Sequence, residues 1–477
     1  MNILDTMMTV LAIGIAMVSA GHALISKRDP KASIGWIAVC ILIPFAGPFL
    51  YYLFGINRVR TRAQKLQRRS ASLHAAEAIS VQKQEIGPVI DADVKNENPE
   101  LVHVSDVITD RPLVGGNLIE VLHNGEQAYP AMLAAIENAR QSLFLATYIF
   151  EIDNTGRSFI DALSRAARRG VDVRVIIDGL SDMYHLPRAG RVLEKHNIPV
   201  ARFLPPRLIP PTVTINLRNH RKILVADSEI GFTGGINISN THLAERHENS
   251  DRVVDLHFRL KGPVVKQIEE VFLEDWGFLT GTYEGSSQGE SVQKGSAACR
   301  VITEGPNEDL DKLVMILIGA VAAARTSVVI MTPYFIPPRG LLAALQAASL
   351  RGLRVSIILP AKNDSRLVHW ATRNLLWELL ERGVRVYYQP PPFVHTKLVI
   401  IDEHYLHIGT ANIDPRSLRL NFELSVEVFD RPLVETLTAH VESVIQRSQP
   451  VTLEDLDGRP LPVRLRDSLA WLLSPYL

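Results

Sequence analysis

The sequence predicts an α/β protein in which two copies of one α/β/α lobe follow a pair of apolar membrane segments. Three observations lead to this prediction. Two apolar runs near the N-terminus lack charged side chains, an alternation of strands and helices begins near residue 117, and the same alternation restarts after residue 297. The chain has 477 residues, which is too long for one hydrophobic core and favours several domains.

The two apolar runs occupy residues 6–25 and 34–54, and neither contains Asp, Glu, Lys or Arg. Each run is long enough to cross roughly 30 Å of hydrocarbon as a helix. Because the loop SKRDPKAS between them is short, residues 1–56 are predicted to form a two-helix transmembrane hairpin. Pro44 and Pro48 predict a kink or a re-entrant turn in the second segment.

A cleaved signal peptide followed by a single anchor is the alternative for this region. Asp5 and the absence of Lys and Arg before the first run count against it. The basic residues within 58–69 exceed those of the loop, so this flank is expected to stay in the cytoplasm.

The polar composition of residues 57–116 predicts a juxtamembrane segment and a linker. We assign the first lobe to residues 117–280, a Gly/Ser-rich linker to 281–297 and the second lobe to 298–477. Hydrophobic patterning in the first lobe predicts strands at 143–150, 172–178, 199–204, 222–227 and 229–233, and helices at 157–169 and 188–197.

The second lobe repeats the first, segment by segment. RQSLFLATYIF is matched by RTSVVIMTPYF, LSRAARRGVDVRVIID by LQAASLRGLRVSIILP, and LEKHNIPVARFLPP by LLERGVRVYYQPPP. NHRKILVAD (219–227) and VHTKLVIID (394–402) close the two series. Four segments repeated in the same order indicate a duplication, and we expect pseudo-twofold packing of the two lobes.

The closing segments carry the candidate chemistry. Alternation along a strand places His220 and Lys222 on one face, and likewise His395 and Lys397. Lysine supplies a positive charge for a phosphate, and histidine acts as a nucleophile or as an acid and base near neutral pH. Displacing an alcohol from a phosphodiester needs a nucleophile on one side of phosphorus and a proton donor on the other. We therefore expect the two pairs to face each other in one site at the lobe interface.

Asp227 and Asp402 complete the two motifs and belong to the candidate catalytic set. Alternation turns them to the opposite face, which favours structural hydrogen bonds instead. Asn237 and Asn412 follow at identical offsets and are expected to donate to phosphate oxygens.

Two downstream carboxylates, Asp255 and Glu423, lie in matched predicted strands. A nucleophilic histidine needs a carboxylate on its other ring nitrogen, so both are candidates for that role. The sequence does not assign either one to a particular histidine. Tyr148, Glu151 and Tyr334 at strand ends either line the pocket or pack structurally.

The formal net charge is zero, which disfavours a nucleic-acid partner. Cys40 and Cys299 lie far apart, so neither a disulfide nor a cysteine metal cluster is expected. The patch HLAERHE (242–248) has two His and two Glu but no third element, and no metal or other cofactor is predicted.

The doubled pattern H-x-K-x4-D-x6-G-x2-N resembles the signature of the phospholipase D superfamily. The N-terminal hairpin, TPYFIPP (332–338), DPRSLRLNFEL (414–424) and the C-terminal LLSPYL resemble bacterial cardiolipin synthases. One departure is AERHENSD (244–251), where that family has a stretch similar to Trp-Arg-Asp.

The resemblance implies two phospholipase D-like lobes in a multi-pass protein of the bacterial inner membrane, with the lobes in the cytoplasm. It implies that phosphatidylglycerol is both donor and acceptor, that cardiolipin and glycerol are the products, and that a phosphohistidine forms without metal or other cofactor. It also implies His220 as nucleophile and His395 as acid and base, although the near-symmetry of the motifs leaves the reverse open. The partners are then phosphatidylglycerol and the lipid bilayer, and the oligomeric state is not predicted.

Two other functions remain open at this stage. A hydrolase of the phospholipase D type carries the same residues and differs in letting water take the phosphatidyl group. A non-enzymatic scaffold that binds membrane lipids is the alternative of another class, but it has no need of two complete His and Lys pairs.

Overall fold

The computed structural model describes residues 3–27, 30–55, 99–109, 111–208, 211–212, 216–246, 251–282, 292–305 and 311–474. It divides into two compact units, Met1–Arg69 and Ser70–Leu477, and each is described by itself. The predictions for residues 57–98 and for most of the 281–297 linker fall outside the described residues.

The N-terminal unit contains α1 (Ile3–Ser26), α2 (Pro30–Leu42), α3 (Ala46–Leu50) and a π-helical turn at Tyr51–Gly55. Small residues of α1 pack against α2 and the final turn, and the Nδ1 atom of His22 lies 2.7 Å from the hydroxyl oxygen of Tyr51.

Within the described residues, one helix, at Asp5–Ser26, is long and apolar enough to cross a membrane. The second predicted segment is interrupted after Leu42, where Phe45 adopts a φ of 60°. The predicted kink is therefore confirmed. At 13 residues, α2 is only about 20 Å long and is too short to span the hydrocarbon by itself.

The larger unit is built from nineteen described strands and thirteen described helices. The strands are β1 (Val114–His123), β2 (Ser142–Thr147), β3 (Asp172–Asp178), β4 (Val200–Phe203), β5 (Arg207–Leu208), β6 (Pro211–Thr212), β7 (Ile223–Ala226), β8 (Ile230–Gly234), β9 (Val253–Val254), β10 (Leu256–Lys261), β11 (Ala297–Glu304), β12 (Ser327–Met331), β13 (Arg354–Pro360), β14 (Arg385–Gln389), β15 (Phe393–Val394), β16 (Leu398–Ile401), β17 (Tyr405–Gly409), β18 (Glu423–Phe429) and β19 (Gln449–Val451). The helices are α4 (Pro99–Ile108), α5 (Asn124–Asn138), α6 (Asn154–Arg168), α7 (Ser181–Tyr184), α8 (Ala189–Lys195), α9 (Val264–Thr280), α10 (Lys312–Ala323), α11 (Arg339–Leu350), α12 (Arg366–Leu380), α13 (Pro415–Arg419), α14 (Arg431–Arg447), α15 (Leu453–Asp457) and α16 (Leu461–Leu472).

Fifteen of the strands form one sheet with two matching halves. From the centre outwards, the first half runs β1-β10-β8-β7-β2-β3-β4 and the second runs β11-β18-β17-β16-β12-β13-β14, with β19 added at its edge. Strands β2, β3 and β4 of the first half are parallel to one another, and so are β12, β13 and β14 of the second. The halves join where β1 pairs antiparallel with β11. The identical strand order confirms the repeat predicted from the sequence.

Each half has its own hydrophobic core. The first centres on residues such as Phe159 and Val175, and the second on residues such as Leu345 and Ile357. The second core also contains Leu101 of α4. The sequence predicted a linker up to residue 116. The described part of that segment instead forms helix α4 and the start of β1, and α4 packs its apolar face into the second lobe.

The two lobes exchange backbone hydrogen bonds at the motifs. The amide of His220 donates to the carbonyl of Phe422 at 2.9 Å, and the amide of His395 donates to that of Val254 at 2.8 Å. Strands β9 and β15 pair in parallel at the second contact, and a parallel bridge joins Asn219 to Phe422 at the first. Each motif histidine is thus held against a strand of the other lobe.

Candidate active site

His220 lies in the extended segment that enters β7 and meets a carboxylate of the second lobe. Its Nδ1 atom is 2.9 Å from Oε2 of Glu423, the first residue of β18. The hydroxyl of Thr410 donates to the same oxygen at 2.6 Å. Burial would raise the pKa of Glu423, but the charge and hydrogen bond of His220 hold this pKa below its usual value. An ionised carboxylate at Nδ1 fixes the proton there and leaves Nε2 free to react.

His395 is held in the mirrored way by the first lobe. Its Nδ1 atom is 2.8 Å from Oδ2 of Asp255, which lies between β9 and β10. The amide of Leu256 donates to the other oxygen at 2.8 Å. Burial raises the pKa of Asp255, and the charge of Lys397 opposes that rise. The structure thus assigns the two candidate carboxylates, which the sequence left unassigned: each histidine contacts the acid of the opposite lobe.

The two motif lysines are buried beside their histidines. Lys222 Nζ donates to the carbonyl of His220 at 2.8 Å, and Lys397 Nζ donates to that of His395 at 2.5 Å. Burial lowers the pKa of Lys222 to about 7 and that of Lys397 to about 8.

The four motif side chains act on one another electrostatically. Burial puts the pKa of His395 well below its usual value, and the charges of Lys397, Lys222 and His220 lower it further. Burial also lowers the pKa of His220. The predicted meeting of the two pairs is consistent with this mutual influence.

Asp227 and Asp402 do not join this group, which corrects their place in the candidate catalytic set. The carboxylate of Asp227 accepts the backbone N–H groups of residues 140–142 at 2.7 to 3.0 Å. That of Asp402 accepts those of residues 325–327 at 2.7 to 2.9 Å. Each aspartate lies past the end of its strand and anchors the turn before β2 or β12, as the alternation of side chains predicts.

The two motif asparagines are buried close to the histidine segments. Asn237 Oδ1 accepts the amide of Ile149 at 3.3 Å. Asn412 Oδ1 accepts no hydrogen bond within the described residues. Their assignment as phosphate ligands stays a prediction.

His242 is a neighbour that sequence reasoning did not include in the site. Its ring centroid lies 6.4 Å from that of His395, and its Nε2 accepts the amide of Asn237 at 3.2 Å. Burial lowers the pKa of His242 to about 3, so the ring is neutral. The sequence signal for a role in the site was its position five residues after Asn237. The surrounding His and Glu residues suggested a metal site instead, which was not predicted.

Tyr148 packs against the first histidine and lysine pair. Its ring centroid is 5.2 Å from that of His220 in an edge-to-face arrangement, and Lys222 Nζ lies 5.6 Å from the same ring. The aromatic face therefore contacts the first pair and covers it from one side.

A cleft of about 340 Å³ leads to His395. Polar side chains of both lobes line it, among them Thr241, Arg252, Lys362 and Asp364. The side chains of His220 and His395 are only 13% and 12% exposed, so little water reaches them directly.

Comparison with known proteins agrees with this arrangement. A family model described as "Cardiolipin synthase, PLD-like domain" matches residues 132–276 and 317–445, and one described as "Phospholipase_D-nuclease N-terminal" matches residues 11–55. Among solved structures, the phosphatidylserine synthase of Haemophilus influenzae Rd KW20 aligns with a TM-score of 0.60 over 79% of this chain and 100% of that chain. At 18% identity, that similarity supports the fold alone.

Full-length relatives are closer in sequence. The chain is 31% identical over 464 residues to the major cardiolipin synthase ClsA of Bacillus subtilis (strain 168), covering 94% of this chain and 95% of the relative. It is also 31% identical over 458 residues to a cardiolipin synthase of Geobacillus sp. (strain WCH70), covering 95% and 90%. Because the first model matches more than half of the chain and these relatives match nearly all of it, the chain belongs to the phospholipase D-like cardiolipin synthase family.

Proposed function

We propose that this phosphatidyltransferase joins two molecules of phosphatidylglycerol into cardiolipin and releases glycerol. One observation carries the proposal: each of the two histidines has Nδ1 held by a carboxylate of the opposite lobe and a buried lysine bonded to its own carbonyl. This arrangement supplies a nucleophile, an acid and base, and positive charge for one phosphodiester.

In the first step, Nε2 of His220 attacks phosphorus, and the bond from phosphorus to the glycerol oxygen breaks. His395 gives its Nε2 proton to that oxygen, so glycerol leaves uncharged. The phosphorylated ring of His220 is cationic because Nδ1 keeps its proton, and the ionised Glu423 stabilises that charge. The two histidine–carboxylate contacts are nearly equivalent, at 2.9 and 2.8 Å, so the choice of His220 as the nucleophile follows the family resemblance.

In the second step, a hydroxyl of another phosphatidylglycerol attacks phosphorus. His395, now neutral, takes the proton of that hydroxyl, and the bond from phosphorus to His220 breaks. His220 and His395 return to their starting states. The substrate phosphate raises the pKa of His395 by bringing an anion into a site that otherwise lowers it.

Transfer to a lipid alcohol requires that water be kept from the phosphohistidine. The low exposure of both histidines and the cover provided by Tyr148 support this requirement. We assign the cleft lined by Lys362 and Asp364 to the glycerol head group, since both hydrogen-bond donors and acceptors are available there.

We further propose that residues 1–56 form a membrane hairpin in the inner membrane of a bacterium, with the catalytic lobes in the cytoplasm. The apolar α1, the packing of α2 against it and the basic stretch 58–69 support this topology. Cysteine accessibility at both ends of the chain in intact cells and in inverted vesicles tests it, and labelling of either end from outside would reject it.

The reaction is tested with the purified full-length protein and vesicles that contain phosphatidylglycerol labelled in the head-group glycerol. Cardiolipin and free glycerol in equal amounts are expected. Phosphatidic acid and glycerol in place of cardiolipin would show a hydrolase, and binding without turnover would show a scaffold.

The His220→Ala and His395→Ala variants are each expected to abolish cardiolipin formation. His196→Ala is the matched control because His196 is exposed on the first lobe. Wild-type protein denatured at neutral pH during turnover of phosphatidylglycerol labelled at phosphorus separates the histidine roles, since the bond from phosphorus to nitrogen breaks in acid. Label on His220 supports the assignment, and label on His395 reverses it.

A further inference from the structure

The C-terminal helix α16 has its polarity reversed relative to a helix on the surface of a soluble protein. Leu461, Leu465, Leu469 and Leu472 follow one another at helical spacing and are 56% to 67% exposed. The face turned to the protein carries Asp467, which is fully buried. A helix that buries a carboxylate and exposes its leucines is built for an apolar environment outside the protein.

Three arginines neutralise the buried carboxylate and fix the orientation of the helix. Arg373 and Arg459 each donate to Oδ2 of Asp467 at 2.6 Å, and Arg466 donates to Oδ1 at 2.8 Å. The guanidinium of Arg466 also lies 4.3 Å from the ring centroid of Trp370 on α12. The outward position of the leucines is therefore set by ion pairs on the opposite face.

The leucines continue onto the neighbouring helix. Side chains of α12 and α16, including Leu367, Trp370, Leu465 and Leu469, line an apolar groove of about 460 Å³. Arg466 lines the groove, and Arg366 and Arg464, which directly precede Leu367 and Leu465, are exposed. An apolar surface with basic residues at its border matches the acyl chains and the anionic head groups of a lipid bilayer.

This leucine surface adjoins the entrance of the active site. Lys362 and Asp364 line the cleft that leads to His395, and α12 begins two residues later at Arg366. The groove therefore starts within one helical turn of the cleft. A bilayer that covers the groove would lie next to the opening through which a lipid head group enters.

We infer that the exposed face of α16, together with the start of α12, docks the catalytic unit on an anionic bilayer beside the cleft. Both the apolar character and the basic border select a lipid surface over a second copy of the chain. The inference goes beyond the proposed reaction, and its first test needs no turnover.

The test uses the full-length protein in nanodiscs of phosphatidylcholine and phosphatidylglycerol. Leu469→Cys carries an environment-sensitive fluorophore, and lipids with spin labels on their acyl chains quench it if the residue enters the bilayer. Asp161→Cys, at an exposed site on α6 of the first lobe, is the control. Cys40 and Cys299 are fully buried, and wild type taken through the same labelling gives the background.

Quenching at position 469 and not at position 161 is expected. Equal quenching at both positions, or none at 469, overturns the inference. Absence of quenching at 469 with a spectrum that depends on protein concentration would identify a second copy. Absence of quenching with an apolar spectrum at every concentration would identify another segment of this chain.

A second measurement separates docking from catalysis. The Leu465→Ser/Leu469→Ser variant changes only exposed side chains, so its rate on monomeric short-chain phosphatidylglycerol should equal that of wild type. Its rate on phosphatidylglycerol vesicles should fall about tenfold or more, because two leucines no longer enter the apolar layer. Equal rates on vesicles would contradict the inference. Wild type that makes no cardiolipin on either substrate would reject the proposed reaction and leave the fluorescence result intact.

Discussion

Replacing Glu423 with Gln removes the charge that holds His220 and leaves the shape of the side chain. At the observed 2.9 Å between Nδ1 and Oε2, a full charge pair is worth roughly 6 kcal/mol at an effective dielectric constant of about 20. The imidazolium shares its charge between two nitrogens, so about half of this energy, roughly 3 kcal/mol, stabilises the cationic phosphohistidine. The Glu423→Gln variant should therefore form cardiolipin about 100-fold more slowly.

The assay is single-turnover formation of the phosphatidyl-enzyme, followed by rapid quenching, with the unfolding temperature measured in parallel. Glu442→Gln is the matched control, because Glu442 is an exposed residue of the same lobe, and it should react like wild type. A Glu423→Gln variant that stays folded and reacts within threefold of wild type would refute the electrostatic role assigned to this carboxylate.

Three further predictions follow from the geometry. Asp227→Ala and Asp402→Ala each remove the acceptor of three backbone N–H groups. Each should lower the free energy of unfolding by about 3 kcal/mol, while the folded protein keeps its turnover rate. Urea denaturation combined with activity assays tests both outcomes, and a large loss of rate at unchanged stability would contradict this. Burial lowers the pKa of Lys222 to about 7, so this side chain is charged below that pH and neutral above it. The charge of glycerophosphoglycerol does not titrate in this range, so the affinity of the protein for this anion should rise from pH 8 to pH 6. Calorimetry should show a weaker pH dependence in Lys222→Met. Asp467→Asn leaves three arginines without their carboxylate. It should lower the free energy of unfolding by about 3 to 5 kcal/mol and therefore lower the unfolding temperature. An unchanged unfolding temperature would count against the stabilising role of the ion pairs between Asp467 and the three arginines.

Local patterns predicted most of the first lobe. The predicted strand 172–178 coincides with β3, and the predicted helix 157–169 overlaps α6. The alternation rule also predicted that Asp227 faces away from His220, because side-chain direction along a strand is fixed by the backbone alone. These features depend on neighbouring residues, which is why one sequence suffices to find them.

Features that depend on packing between the lobes were not predictable in the same way. The assignment of Glu423 to His220 and of Asp255 to His395 follows from pairing between segments about 200 and 140 residues apart. Helix α4 was missed for the same reason, since its Leu101 is buried by the second lobe rather than by adjacent sequence. His242 enters the site through its contact with His395 of the other lobe, which its position five residues after Asn237 does not specify.

Because the acids are exchanged between the lobes, neither half orients its own histidine. A half-protein that ends before residue 283 would carry His220 but not Glu423, and the other half would carry His395 but not Asp255. A single fragment of either kind would therefore need a second half to orient its histidine. Such mutual dependence is expected if a symmetric dimer of identical subunits became a single chain through duplication and fusion of its gene.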